Sequence, residues 1–262
     1  MEEYVEVGGL RIHYMVEGSG SAVILVHGNG LSAGQWKLNI SPLAKYYKVY
    51  APDLPGFGLS DKPDLDYGVD YYVGFLKEFM DSIGVHKASL VGNSMGGAVV
   101  AKFAARCPDR VAGIVLSDPT GFVPESLSRN KELYNAFLGL MIRSRRLYCR
   151  PMLHNSANMR LLEDTQLVTD SKESRDAFVK NCKSILRYDG SYAGTLMAIS
   201  APALIIWGED DLLLPAEDAE KYRGLIAGSK VKLIERSGHM PNVETHAEFN
   251  AAVLSFFGGI GH

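Results

Sequence analysis

The stretch ASLVGNSMGGAVVAKFAAR, residues 88–106, decides the fold. Ala88–Val91 is a short apolar run, as in a strand buried on both faces. Ala98–Arg106 is built of good helix formers. Between them stands Gly92-Asn93-Ser94-Met95-Gly96, a Gly-x-Ser-x-Gly pattern. A chain that passes from strand to helix in so few residues turns sharply. Gly92 and Gly96 fit there because any larger side chain would strike the strand or the helix. The turn lifts Ser94 to the carboxyl end of a sheet, where open α/β sheets bind ligands. A helix N-terminus below it favours developing negative charge.

The same rhythm extends in both directions. Upstream, Tyr4–Val7 and Leu10–Val16 alternate around Gly8-Gly9 and read as a hairpin. Ala22–Val26 (AVILV) and Tyr47–Ala51 read as strands, and about Tyr71 to Ile83 as a helix. Downstream, Val111–Leu116, Ala203–Trp207 and Lys230–Ile234 read as strands, and a helix near Ala247–Phe257 closes the chain. Strands alternating with helices imply a mostly parallel sheet covered on both faces, an α/β fold. From residue 119 to 199 strand signals cease, and LYNAFLGLMI and FVKNCKSIL look helical. The expected organisation is a core of residues 1–118 and 200–262, with a helical cap of residues 119–199 inserted over the sheet edge.

Ser94 is a weak nucleophile without a base. His239, in Ser237-Gly238-His239-Met240-Pro241 after the last strand, lies on a loop that can reach back over the sheet. His13, His86, His154, His246 and His262 sit in less suitable places. The base needs an orienting carboxylate. Glu209, Asp210 and Asp211 compete directly after the strand ALIIW, and Asp118, after an earlier strand, is a further alternative. A tetrahedral intermediate needs oxyanion donors. His27-Gly28-Asn29-Gly30 follows AVILV and can bring a backbone N–H towards Ser94, so the assigned donors are the N–H groups of Asn29 and Met95. His27 and Gly28 support that loop.

Bulk properties narrow the function. The chain has 262 residues, 47 % hydrophobic and 22 % charged, with a net charge of −3. That balance gives no reason to expect nucleic acid or an anionic membrane as partner. Arg143, Arg145, Arg146 and Arg150 read as a solvated helix face. The acidic, alternating N-terminus is unlike a signal peptide, and no apolar run spans a bilayer. Cys107, Cys149 and Cys182 are widely spaced, which fits free thiols in a reducing cytoplasm and no zinc site. No metal and no cofactor are expected. The expected partner is a small acyl or ester substrate, and the expected state a monomer or homodimer.

Five blocks, LVHGNG, APDLPGFGLSDKP, VGNSMGGAV, IIWGEDDLLLP and SGHMP, together make the chain resemble the α/β-hydrolase superfamily over nearly its whole length. The resemblance implies an eight-stranded, mostly parallel sheet and a helical cap after strand six. The family's acid stands four residues after the Trp and four before the Pro, which selects Asp211 between Trp207 and Pro215. The order Ser94, Asp211, His239 is also the family's. The elbow GNSMGG followed by PDRVAGIVL is similar to meta-cleavage product hydrolases, which cut carbon–carbon bonds, and also to many esterases. Two features depart from the former group: the loop HGNGLSAGQW lacks its longer glycine-rich form with a Ser-Asn pair, and Met240 rather than Trp follows the histidine. Ser94 argues against dehalogenases and epoxide hydrolases that place Asp at the elbow.

The expected activity is therefore hydrolysis of small carboxylic esters. The alternatives are carbon–carbon hydrolysis with the same triad, and a ligand receptor with very slow turnover. Thioesterase, perhydrolase and lactonase activities fall within the same chemistry. Arg129, Arg143 and Arg187 are candidates for binding a substrate carboxylate. Phe122, Tyr134, Phe137, Tyr148 and Phe178, with Met141, Met152 and Met159, are apolar cap residues that fill the core or wall the pocket.

Overall fold

The computed structural model describes residues 1–122, 139, 142–162, 167, 170–185 and 191–260. Its centre is an eight-stranded sheet of order β1-β2-β4-β3-β5-β6-β7-β8. The strands are β1 (Glu2–Val7), β2 (Leu10–Glu17), β3 (Ala22–Val26), β4 (Lys48–Pro52), β5 (Ala88–Asn93), β6 (Val111–Ser117), β7 (Ala203–Gly208) and β8 (Lys230–Ile234). Gly8 and Gly9 both take positive φ, +57° and +80°, and close the β1–β2 hairpin. β2 is antiparallel to its neighbours β1 and β4, and every later pairing is parallel.

Side-chain alternation along the central strands divides the interior into two layers. Ile24, Val26, Leu90, Ile114, Leu116, Ile205 and Trp207 point to one face. Helices α1 (Lys37–Ala44), α2 (Val69–Ser82) and α3 (Met95–Arg106) follow in the chain, and α2 and α3 cover that face. Val23, Leu25, Val91, Val115, Leu204 and Ile206 point to the other. That face is covered by α1 and by the last helix, where Phe249, Val253 and Phe257 are buried. Because both faces are covered, these strands read as continuous apolar runs, and β5 is buried at every position.

Between β6 and β7 no strand occurs among the described residues. The described part of that segment holds α4 (Arg145–Cys149), 3-10 turns at Arg150–Met152 and Ser156–Leu162, α5 (Lys172–Ile185) and α6 (Ser191–Met197). Tyr148, Met152 and Phe178 are buried in the main core, and Phe122 and Met159 pack against it. Arg143 is exposed. Arg129, Tyr134, Phe137, Met141, Arg187 and His262 lie outside the described residues. After β7 come α7 (Asp218–Leu225), α8 (Pro241–Glu244) and α9 (His246–Ile260). No helix among the described residues is long and apolar enough to cross a membrane.

Two elements differ from the sequence expectation. The helix expected from Ala98 starts at Met95, because Ser94 leaves β5 and enters α3 with no linker. Helix α7 carries no apolar stripe that would signal it. Its sequence DAEKYRGL buries only Asp218, Ala219 and Tyr222.

Candidate active site

Parallel strands β3, β5, β6, β7 and β8 all end at the same edge, so the loops that follow them meet there. Each contributes a group: Asn29 after β3, Ser94 after β5, Asp118 and Thr120 after β6, Asp211 after β7 and His239 after β8.

Ser94 sits at φ 54°, ψ −120°, an arrangement that an L-residue adopts at a cost of about 1–3 kcal/mol. Its surroundings hold it there. The Ser94 N–H donates to Ser117 O at 2.9 Å, and its carbonyl accepts from Ala98 N at 3.2 Å and Thr120 N at 3.0 Å. The flanking glycines are required by contact. A Cβ on Gly92 would lie 2.3 Å from Gly96 O, and one on Gly96 would lie 2.2 Å from Val26 O. The turn therefore packs helix directly on strand. The Ser94 hydroxyl lies 3.3 Å from Thr120 Oγ1. The Met95 N–H opens the first turn of α3, where helix N–H groups have no intrahelical acceptor.

His239 Nδ1 lies 2.7 Å from Asp211 Oδ2, and both side chains are buried. The other Asp211 oxygen accepts from Leu213 N at 2.8 Å and Leu214 N at 3.0 Å. With Nδ1–H directed to Asp211, Nε2 keeps its lone pair. Asp210 is turned away and pairs with His154 at 3.0 Å. His13 pairs instead with Asp53 at the end of β4, 2.8 Å away. Burial pulls the His239 pKa down, but the charge and hydrogen bond of Asp211, with Asp118 beside it, raise it above its ordinary 6.5.

Asp118 is a second carboxylate at this edge. It takes a positive φ of 44°, accepts from Ser117 Oγ at 2.8 Å and Gly208 N at 2.9 Å, and is fully buried. Burial, then the nearby Asp211 charge, pushes its pKa well above the usual carboxylate range. Asp118, Asp211 and His239 offer one ligand atom each within 4.8 Å of one another, the one such group among the described residues. Both Asp211 oxygens and both Asp118 oxygens already accept hydrogen bonds, so a cation would have to displace these partners.

The loop after β3 is fixed from two sides. His27 is buried; its Nδ1–H donates to Gly28 O at 2.8 Å and its Nε2 accepts from Leu54 N at 2.9 Å. Burial lowers its pKa, which favours this neutral form. The Asn29 side chain points away from the sheet. Its Nδ2 donates to Phe178 O and towards Cys182 Sγ, both at 3.3 Å, and its Oδ1 accepts from Asn181 Nδ2 at 3.1 Å. Its carbonyl accepts from the Tyr148 hydroxyl. Asn29 thus joins the loop to α4 and α5.

Sequence reading missed a chain of buried amides beneath these loops. Gln35 Oε1 accepts from Gly28 N at 3.0 Å, and Gln35 Nε2 donates to Asn93 Oδ1 at 2.7 Å. Asn93 Nδ2 donates to His239 O at 3.1 Å. Gln35 Nε2 also approaches Asn242 Oδ1 at 3.4 Å, and Asn242, Asn39 and Asn250 continue the chain on the far side. The only sequence signal is the i, i+4 spacing of Gln35 and Asn39, and the same spacing serves a solvent-facing stripe. Glu244 was missed as well. Its carboxylate accepts four N–H groups, from Gly238, His154, Asn155 and the Asn158 side chain.

Comparison with known proteins agrees with this architecture. A model of the alpha/beta hydrolase family matches residues 23–252. The chain is 30 % identical to the 2-hydroxy-6-oxo-6-(2'-aminophenyl)hexa-2,4-dienoic acid hydrolase of Metapseudomonas resinovorans, over 98 % of this chain and 90 % of that one. It is also 30 % identical to a 2-hydroxy-6-oxo-6-phenylhexa-2,4-dienoate hydrolase of Burkholderia cepacia, over 95 % and 92 %. Among solved structures it resembles a membrane phospholipase A at 30 % identity and TM-score 0.85, covering 99 % of this chain and 86 % of that one. A thermophilic esterase from Thermogutta terrifontis shares the fold at 22 % identity and TM-score 0.85, with full coverage of both chains.

Proposed function

The chain belongs to the alpha/beta hydrolase family, and on that premise we propose that it is a cofactor-free serine hydrolase of small carboxylic esters. The observation that carries this is the buried His239–Asp211 pair on the loop that Asn93, the neighbour of Ser94, holds by hydrogen bond. Substrate carbonyl carbon meets Ser94 Oγ. The hydroxyl leaves Thr120 for His239 Nε2, which accepts its proton as the C–O bond forms. Asp211 keeps the proton on Nδ1 and stabilises the imidazolium. The N–H groups of Asn29 and Met95 receive the oxyanion. His239 then protonates the departing alcohol, and a water activated by the same imidazole releases the acid. The segment between β6 and β7 acts as a cap over this site, and the chemistry draws on no metal.

The test is p-nitrophenyl ester hydrolysis across acyl lengths from acetate to dodecanoate, with Ser94→Ala as control. Turnover that falls by about 10³-fold or more in the folded variant supports the reading. Undiminished turnover in Ser94→Ala overturns it.

A second reading is favoured by the relatives. Several at about 30 % identity carry names of 2-hydroxy-6-oxo-hexa-2,4-dienoate hydrolases, which fits the carbon–carbon cleavage suggested by the elbow's likeness to meta-cleavage product hydrolases. The same residues serve that reaction, with a vinylogous ketone in place of the ester. Fast bleaching of a 2-hydroxy-6-oxo-dienoate chromophore, with poor ester turnover, would select it.

A further inference from the structure

We propose that Gln35 is a positioning residue for hydrolysis: its side-chain amide sets the oxyanion loop against the nucleophile elbow and, through Asn93, against the base. The inference rests on the serine-hydrolase reading above.

Gln35 lies in the 3-10 turn Ala33–Trp36 and is 1 % exposed, so water does not replace what its amide provides. An amide both accepts and donates, and this one does each towards a different loop. Its oxygen takes the Gly28 N–H, and its nitrogen gives a hydrogen to Asn93 Oδ1. Asn93 passes the link to the carbonyl of His239. The result is one continuous run, Gly28 N–H to Gln35 to Asn93 to His239 O. It crosses from the loop after β3 to the elbow after β5 and the loop after β8.

Two consequences follow. The Gly28 N–H is consumed, which fixes the loop so that the next N–H, that of Asn29, is the one presented to substrate. The run also makes the distance between oxyanion donor and base a property of side-chain length at position 35. Amides aligned head to tail in a dry interior polarise one another, which stiffens the arrangement. Of the other neutral side chains of this length, only a protonated glutamic acid could also bridge a donor and an acceptor here. A glutamate keeps the acceptor for Gly28 but, when ionised, presents an oxygen to the Asn93 oxygen. A methionine has the same reach and neither function.

The experiment compares the full-length wild type with Gln35→Met, Gln35→Glu and, as control, Asn250→Ala. Asn250 belongs to the far end of the amide chain, bonded to Asn39 Nδ2 at 2.8 Å and Leu38 O at 3.0 Å, and touches none of the three loops. The readouts are kcat and KM on p-nitrophenyl acetate, labelling of Ser94 by a fluorophosphonate, and the thermal midpoint. The expected result is a kcat about 10- to 100-fold lower in both Gln35 variants, with KM within about threefold and phosphonate labelling slowed in parallel. Asn250→Ala is expected to lose thermal stability and keep kcat within about twofold. If Gln35→Met does not fold, Gln35→Glu carries the comparison alone. An active wild type whose folded Gln35 variants keep full kcat overturns this inference and leaves the serine-hydrolase reading standing. So does an Asn250→Ala variant that loses kcat as steeply, since the network then only holds the fold. A wild type inert to esters, dienoate and phosphonate overturns that reading, and this inference with it.

Discussion

Replacing Glu244 should loosen two separate parts of the chain at once. Its Oε2 accepts from Gly238 N at 2.8 Å and His154 N at 2.9 Å; its Oε1 accepts from Asn155 N at 3.0 Å and Asn158 Nδ2 at 2.9 Å. Hydrogen bonds to a charged acceptor contribute about 1.5–3 kcal/mol each when shielded. Here His154 and Asn155 are exposed, and water takes over part of each contact when the carboxylate is removed. A contribution of about 0.5–1 kcal/mol per bond is then appropriate, which gives about 2–4 kcal/mol for Glu244→Ala. For a chain of this size that shifts the thermal midpoint by about 5–12 °C. Glu244→Gln keeps one acceptor oxygen and points an NH2 group at the other pair of N–H donors, so about half of that loss is expected. Differential scanning fluorimetry measures the midpoint, and hydrogen exchange on the peptide spanning 153–158 locates the change. A midpoint lowered by less than about 1 °C in Glu244→Ala, with exchange at 153–158 unaltered, would refute the reasoning.

Other expectations follow from the site. Because His239 must be neutral to act and its pKa is raised, kcat/KM should climb with pH through an apparent value above 6.5; Asp211→Asn should cut kcat by about 10³-fold and move that limb downwards, and a wild-type limb at or below 6.5 would contradict it. The same sign governs stability: the protonated imidazole is favoured in the folded chain, so its contribution is complete below about pH 6.5 and fades as pH rises through the raised value, readable in urea midpoints across pH. Gly96→Ala places a Cβ 2.2 Å from Val26 O and 2.7 Å from His27 O, both fixed backbone, and should cost more than about 4 kcal/mol or abolish soluble expression. Gly74→Ala, in mid-helix α2 with open space around it, should instead stabilise by about 0.5–1 kcal/mol in chemical denaturation.

The parts legible in the sequence are those where one physical constraint acts alone. β3, β5, β6 and β7 are buried on both faces, and apolar residues dominate them, with the polar exceptions gathered mostly at the ends of β5 and β6. The elbow shows because two glycines are forced by backbone contact. Asp211 is told from Asp210 only by the family resemblance, which implies an acid four residues after Trp207 and four before Pro215, and its carboxylate is the one that meets His239. What stays hidden depends on which way a polar side chain turns. Gln35, Asn39, Asn242 and Asn250 have the composition of a solvated surface and are buried, because each satisfies another. Thr120 is one hydroxyl among many until the strain at Asp118 and the end of β6 set it beside Ser94. Helix α7 is obscure for the opposite reason. So little of it is buried that its charges, rather than an apolar stripe, dominate the reading.

Asn29 gives the molecule a constraint of inheritance. Its backbone belongs to the loop after β3, yet its side chain is bonded to α5 and its carbonyl to Tyr148. A lineage or an engineer wishing to graft a different insertion between β6 and β7 could not treat it as an interchangeable accessory. The graft would have to bring its own counterpart of Asn181 and Tyr148, or the loop after β3 would need rewriting in the same step. New substrate preferences in this chain are therefore reached through small changes within the existing insertion more readily than by wholesale replacement.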